Sequence, residues 1–169
     1  GHRLSIACLE RVYTVRRTLC EFFGGYSYDR VIFTKNCTEA LNCAILGTLK
    51  EGDEVVTTVA EHNSVLRPLE FLKARGVSVE YAPLNAEGEI DAEAFGRLVT
   101  HKTRAAVVTL ASNVTGTAPD ILKIKEHLPE GCLLICDGAQ ACGHVGIDMK
   151  SAGIDALAVA GHKGMLGLP

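Results

Sequence analysis

Residues 104–137 read RAAVVTLASNVTGTAPDILKIKEHLPEGCLLICD, and the way this stretch divides decides the fold. RAAVVTLAS (104–112) is a run of small and β-branched residues and predicts a strand. PDILKIKEHL (119–128) predicts a helix, with Pro119 placed in its first turn. CLLICD (132–137) predicts a second strand. Apolar strands separated by amphipathic helices mean βαβ crossovers and a mostly parallel sheet. A strand as continuously apolar as AAVVTL fits a sheet covered on both faces.

The same alternation extends in both directions. Upstream, Leu4, Ala7, Cys8, Val12, Val15, Leu19, Phe22 and Phe23 mark an amphipathic helix over 4–23, stopped by Gly24-Gly25. A short strand is expected at Arg30–Thr34, then a polar turn and a helix from Thr38 to Lys50. EVVTTV is a strand, SVLRPLEFLKARG a helix, VSVEYAPL a strand and DAEAFGRLVT a helix. Downstream come a short helix over 148–152 and a last strand, DALAVAG (155–161). The expectation is a three-layer α/β sandwich with a mostly parallel, mixed sheet, in one domain covering 1–169.

Bulk properties narrow the function classes. The 169 residues are 47% hydrophobic and 22% charged, which suits one globular domain or one large piece of a bigger protein. A formal net charge of −3 argues against nucleic acid or an anionic membrane as partner. No apolar run is long enough to span a bilayer, and the charged start is unlike a signal peptide. Seven cysteines, an odd number with no C-x-x-C pair, predict reduced thiols in a cytoplasmic protein. CLLICDGAQACGH gathers three cysteines and a histidine at no common zinc spacing, so no metal is expected.

In parallel sheets, ligands bind beyond the carboxyl ends of the strands. Those positions hold Asn36-Cys37-Thr38-Glu39, Glu61-His62-Asn63-Ser64, Asn113-Val114-Thr115-Gly116, Asp137-Gly138-Ala139-Gln140 and His162-Lys163. Singly, each has an ordinary reading. Thr38 suits a helix N-cap, Asp137 a turn, and Lys163 a chain reaching out to water. Together they match an aromatic aldehyde with a phosphate tail. The phosphate sits at a helix start, a flat side chain lies on the ring, a carboxylate faces a ring nitrogen, and an amine forms an imine. Pyridoxal 5′-phosphate is that ligand. On this reading the strand DALAVA ends at Lys163 because the amine is consumed in an imine, not left as a buried charge.

The stretches VIFTKNCTEALN, EHNSVLRPL, SNVTGT, CDGAQACGH and AGHKGMLG also resemble, in order and spacing, the class V aminotransferase-like, fold-type I enzymes that use pyridoxal phosphate, and among them the cysteine desulfurases. The resemblance runs from about Gly1 to Leu168. It implies that Lys163 holds the cofactor and moves the substrate Cα proton. It further implies that His62 stacks on the pyridine ring and that Asp137 keeps the ring nitrogen protonated. Gln140 and Asn113 match groups near the phenolic oxygen, with Asn113 also close to the substrate. Cys37 (through its backbone N–H), Thr38 and His162 match the phosphate cradle. The implied reaction takes sulfur from L-cysteine, leaving L-alanine and an enzyme persulfide. A homodimer and a sulfur-acceptor protein are the implied partners.

Two departures from the family pattern stand out. The residue three before the lysine is commonly serine, a phosphate contact, and here it is Ala160. One hydrogen bond of about 1 kcal/mol is thereby lost. The chain also stops six residues after Lys163, short of the small C-terminal domain that carries the family's substrate arginine and mobile cysteine. The expectation is a piece of a larger enzyme that does not turn over alone. Selenocysteine lyase, cysteine lyase and class V aminotransferase remain alternatives, as does a non-catalytic scaffold domain.

Overall fold

The computed structural model describes residues 2–168. Six helices and five strands follow in the order α1 (Arg3–Phe22), α2 (Cys37–Thr48), β1 (Glu54–Thr58), α3 (Asn63–Lys73), β2 (Ser78–Ala82), α4 (Ala92–Gly96), β3 (Thr103–Thr109), α5 (Ile121–Glu126), β4 (Leu133–Asp137), α6 (Met149–Ala152) and β5 (Ala156–Ala158). The strands form one sheet in the order β2-β1-β3-β4-β5, and every neighbouring pair is parallel. The antiparallel component allowed for by the sequence reduces to an isolated bridge, Leu84–Ile90. No helix among the described residues is long and apolar enough to cross a membrane.

Strand alternation builds the three layers. Val55, Ala105, Val107 and Ile135 point to one face, where they pack with Leu41 and Ile45 of α2 and Val65 and Leu69 of α3. Val56, Ala106, Val108, Leu134 and Cys136 point to the other, against Phe95 of α4, Ile124 of α5 and Ile154. Both faces are thus covered, and β3 is buried along nearly its whole length.

Several local expectations are corrected. Arg30–Thr34 is not a strand. A 3₁₀ turn spans Tyr28–Arg30, and the chain that follows finds no neighbouring strand among the described residues, leaving Ile32 and Phe33 exposed. A strand persists only through its ladder, so the β-branched residues alone do not make one. The helix over 91–100 shrinks to Ala92–Gly96, because turn bonds from Leu98 and Val99 replace the helical ones. Pro119 precedes the N-cap, Asp120, instead of lying in the first turn of α5. The last strand keeps three residues, since β5 is an edge strand paired only with β4. Helix α1 forms as expected but buries no residue; Leu4, Leu9 and Phe22 stay exposed.

Candidate active site

The chain order reverses between β1 and β3, since β2 lies on one side of β1 and β3 on the other. Such a switch point is where parallel sheets open a crevice. A cavity of about 190 Å³ lies there, and Cys37, Thr38, His62, Asn113, Asp137, Gln140, His162 and Lys163 all line it. The ends of β1, β3, β4 and β5 and the start of α2 therefore converge on one space. Cys37 and Asp137 form its buried floor, while Thr38, His62, Asn113, His162 and Lys163 remain exposed around it.

One wall is the start of α2. Asn36, not Thr38, is the N-cap: its Oδ1 accepts the Glu39 N–H at 2.9 Å and its carbonyl accepts the Ala40 N–H. The Glu39 carboxylate reaches back to the Lys35 N–H at 2.6 Å, so the entry to the helix is closed from both sides. Asparagine outcompetes threonine because it stands one residue before the helix, where its amide oxygen reaches the third N–H. The N–H groups of Cys37 and Thr38 are left with no hydrogen bond among the described residues. Two free donors at a helix N-terminus favour an anion.

The Thr38 hydroxyl, relieved of capping, lies 2.8 Å from Ser64 Oγ, which in turn lies 2.7 Å from His62 Nδ1. His62 is the N-cap of α3, and its Nδ1 accepts the Ser64 N–H at 3.1 Å. An accepting Nδ1 places the ring proton on Nε2. The Ser64 hydroxyl then donates to Nδ1 and accepts from Thr38. Pro68 removes the helical partner of the Ser64 carbonyl, and Asn42 Nδ2 of α2 takes its place at 3.4 Å. The imidazole is thereby oriented through both helices.

Asp137 ends β4 with 4% of its surface exposed. Its Oδ1 accepts the Ala139 N–H at 2.9 Å and the Cys37 thiol at 3.7 Å. The thiol stays protonated, because burial first, then the Asp137 charge and this bond push Cys37 up to about 12 while the Lys163 ammonium opposes them. Gly138 is required here: a Cβ would meet Cys142 Sγ, Leu157 and the Ala158 carbonyl.

Asn113 sits on a turn pinned by buried Ser112, whose Oγ accepts the Val114 and Thr115 N–H groups at 3.2 Å each. Lys163 lies in a turn, not at a strand end, closed by Lys163 N–H to the Ala160 carbonyl at 3.1 Å and Gly167 N–H to the Gly161 carbonyl at 2.7 Å. It is exposed and makes no ion pair among the described residues, so its amine is accessible. Gly164 packs against the Cys142 carbonyl and His144, not toward the cavity.

Sequence reasoning missed Ser64 and Glu61. Both stood in the stretch after β1, and the signal was a serine two residues past a histidine at a helix start, where its N–H and hydroxyl both reach the imidazole.

Comparisons with known proteins bear on the family and the fold. The family model for class-V aminotransferases matches residues 1–169. A probable cysteine desulfurase of Pyrococcus abyssi is 34% identical over 98% of the chain. The apo structure of a cysteine desulfurase from Thermococcus onnurineus superposes with a TM-score of 0.91, at 31% identity over 99% of the chain. SspA, solved in complex with cysteine, superposes at 0.87 with 26% identity over 96% of the chain and 48% of its own. The chain spans 42% of the length of each of the two desulfurases. With the sheet order, the cavity and the family match in agreement, the chain belongs to the class-V aminotransferase family.

Proposed function

We propose that this chain is the large, cofactor-binding domain of a pyridoxal 5′-phosphate-dependent cysteine desulfurase, which takes sulfur from L-cysteine and releases L-alanine. The observation that carries the reading is the donor set around one cavity. A buried carboxylate, two free helix N–H groups, an oriented imidazole and an accessible primary amine share that space. Those groups fit the cofactor's ring nitrogen, phosphate, ring face and aldehyde in turn.

When bound, pyridoxal phosphate supplies a positively charged ring that stabilises negative charge at the substrate Cα. Each residue has a task toward it. Asp137 holds the proton on the ring nitrogen, and its burial makes that ion pair strong. The Cys37 and Thr38 N–H groups bind the phosphate, with His162 beside them. His62 presents its ring to the cofactor face, and Asn113 and Gln140 bond the phenolic oxygen. Lys163 Nζ is the amine for the aldehyde carbon and the base that takes the Cα proton.

The similarity to cysteine desulfurases and to a cysteine-bound neighbour supports cysteine as substrate. A small C-terminal domain, a homodimer, a sulfur-acceptor protein and a cytoplasmic setting belong to the same reading. The test is to titrate the full-length protein with pyridoxal phosphate. A visible absorbance band that disappears in Lys163→Ala, and equimolar alanine and sulfide from L-cysteine with a thiol reductant, are expected. Transamination without sulfide would replace desulfuration with the aminotransferase reading, and no band at all would remove the cofactor.

A further inference from the structure

The backbone ladder between β1 and β3 ends before the crevice. They pair at only three positions, Glu54 with Thr103, Val55 with Ala105 and Val56 with Ala106, and the register already shifts within them. Past that point side chains take over from the ladder. Thr57 Oγ1 donates to the Val107 carbonyl at 2.8 Å. One oxygen of Glu61 accepts both the Thr58 hydroxyl, at 2.7 Å, and the Thr109 N–H, at 2.9 Å. The Glu61 carboxyl therefore sits in the wedge between the two strands, directly before His62.

Glu61 has 6% of its surface exposed, and its second oxygen is buried without a hydrogen-bond partner among the described residues. A carboxylate in that position would leave charge unsolvated. A neutral acid accepts both bonds through its carbonyl oxygen and leaves only an uncharged hydroxyl unpaired. The titratable groups that face it come from β4, namely Asp137 and Cys136; β1 and β3 offer it only the neutral Thr58 and Thr109. Burial first, and the Asp137 charge in the same sense, push the Glu61 carboxyl up to about 8 against its two hydrogen bonds.

We propose that Glu61 is a positioning residue of the site: held as a neutral acid, it clamps the splayed ends of β1 and β3 and so fixes where His62 stands over the cavity. Ionisation strengthens the two accepted bonds themselves but sets two carboxylates against each other beneath the ligand and puts charge on the buried, unpaired oxygen, which disfavours the clamped arrangement. The inference rests on the reading of the cavity as a pyridoxal phosphate site.

The test compares full-length wild type, Glu61→Gln and Glu61→Ala in two measurements. One is the pyridoxal phosphate dissociation constant from the visible band, and the other is the melting temperature of cofactor-free protein. Affinity is followed between about pH 6.5 and 9.5, across the folded-state Glu61 titration, and melting temperature between about pH 5 and 9.5, across the range where folded and unfolded states bind protons differently. Glutamine mimics the neutral acid, so at pH 7 its affinity should match wild type within about twofold, while alanine weakens it about tenfold. Toward pH 9.5 wild type should lose about tenfold more affinity than Glu61→Gln, whereas its melting temperature should fall relative to that variant between about pH 5 and 8 and level off above. Parallel pH profiles for wild type and Glu61→Gln, or a glutamine variant as weak as alanine at pH 7, would overturn the proposal. If wild type binds no cofactor, the underlying reading fails separately, and the melting profiles still decide whether Glu61 titrates as stated. Should Glu61→Ala not fold, the glutamine comparison stands alone.

Discussion

The thiol of Cys37 and the carboxylate of Asp137 meet at 3.7 Å across one hundred positions of sequence. With the Ala139 N–H, the thiol occupies Oδ1 of Asp137, and Oδ2 makes no hydrogen bond among the described residues. The carboxylate is thus anchored on one side and open on the other. Replacing Cys37 by alanine removes one donor, so pyridoxal phosphate affinity should fall about threefold to tenfold with little change in melting temperature. Cys37→Ser should recover most of it, as read by cofactor titration.

Cys37 is also shielded from reaction. Burial holds its thiol protonated, as it does those of Cys132, Cys136 and Cys142, while Cys8 and Cys43 are exposed. Thiolate is the nucleophile, so iodoacetamide at neutral pH should label Cys8 and Cys43 first. Peptide mass spectrometry of a short labelling time course would read this, and early modification of Cys37 would contradict the burial argument.

Ser64 links Thr38 to His62 by bonds of 2.8 and 2.7 Å. Ser64→Ala should cost about 1–2 kcal/mol in urea denaturation and weaken cofactor binding. Because Ser64 acts on the cavity through His62, the double variant with His62→Ala should bind the cofactor no more weakly than His62→Ala alone.

Ala160 is 3% exposed and lines the cavity, where the family pattern commonly places serine. Ala160→Ser adds one hydroxyl to the wall of the cavity proposed to hold the phosphate. Cofactor affinity should rise about fivefold, the equivalent of one hydrogen bond near 1 kcal/mol.

Lys163 makes no ion pair among the described residues and is exposed, so Lys163→Ala should leave stability within about 0.5 kcal/mol of wild type. The same variant should abolish the visible band. A large drop in melting temperature would return the lysine to a structural role.

Much of this was legible from residue patterns, and what was not has a common cause. Helices α2 and α3 and strands β1, β3 and β4 follow from periodicity because each buries its apolar residues. Arg30–Thr34 misled because a β-branched run becomes a strand only beside another strand. β5 was overdrawn because periodicity cannot tell an edge from a centre. The eight residues named do line one cavity: six end or follow β1, β3, β4 and β5, whose ends a parallel sheet aligns, while Cys37 and Thr38 are brought there by the start of α2 and not by a strand. Glu61 and Ser64 escaped notice because their importance lies in partners, Thr109 and Thr38, that only the folded chain brings near.

All adjacent strands here are parallel, with helices in the connections between them, and none is joined to its neighbour by a tight hairpin turn. No pair can zip up locally; every ladder must wait for a long loop to close. During refolding, helical circular dichroism should therefore return ahead of ligand uptake, and the pocket should be among the last features to appear.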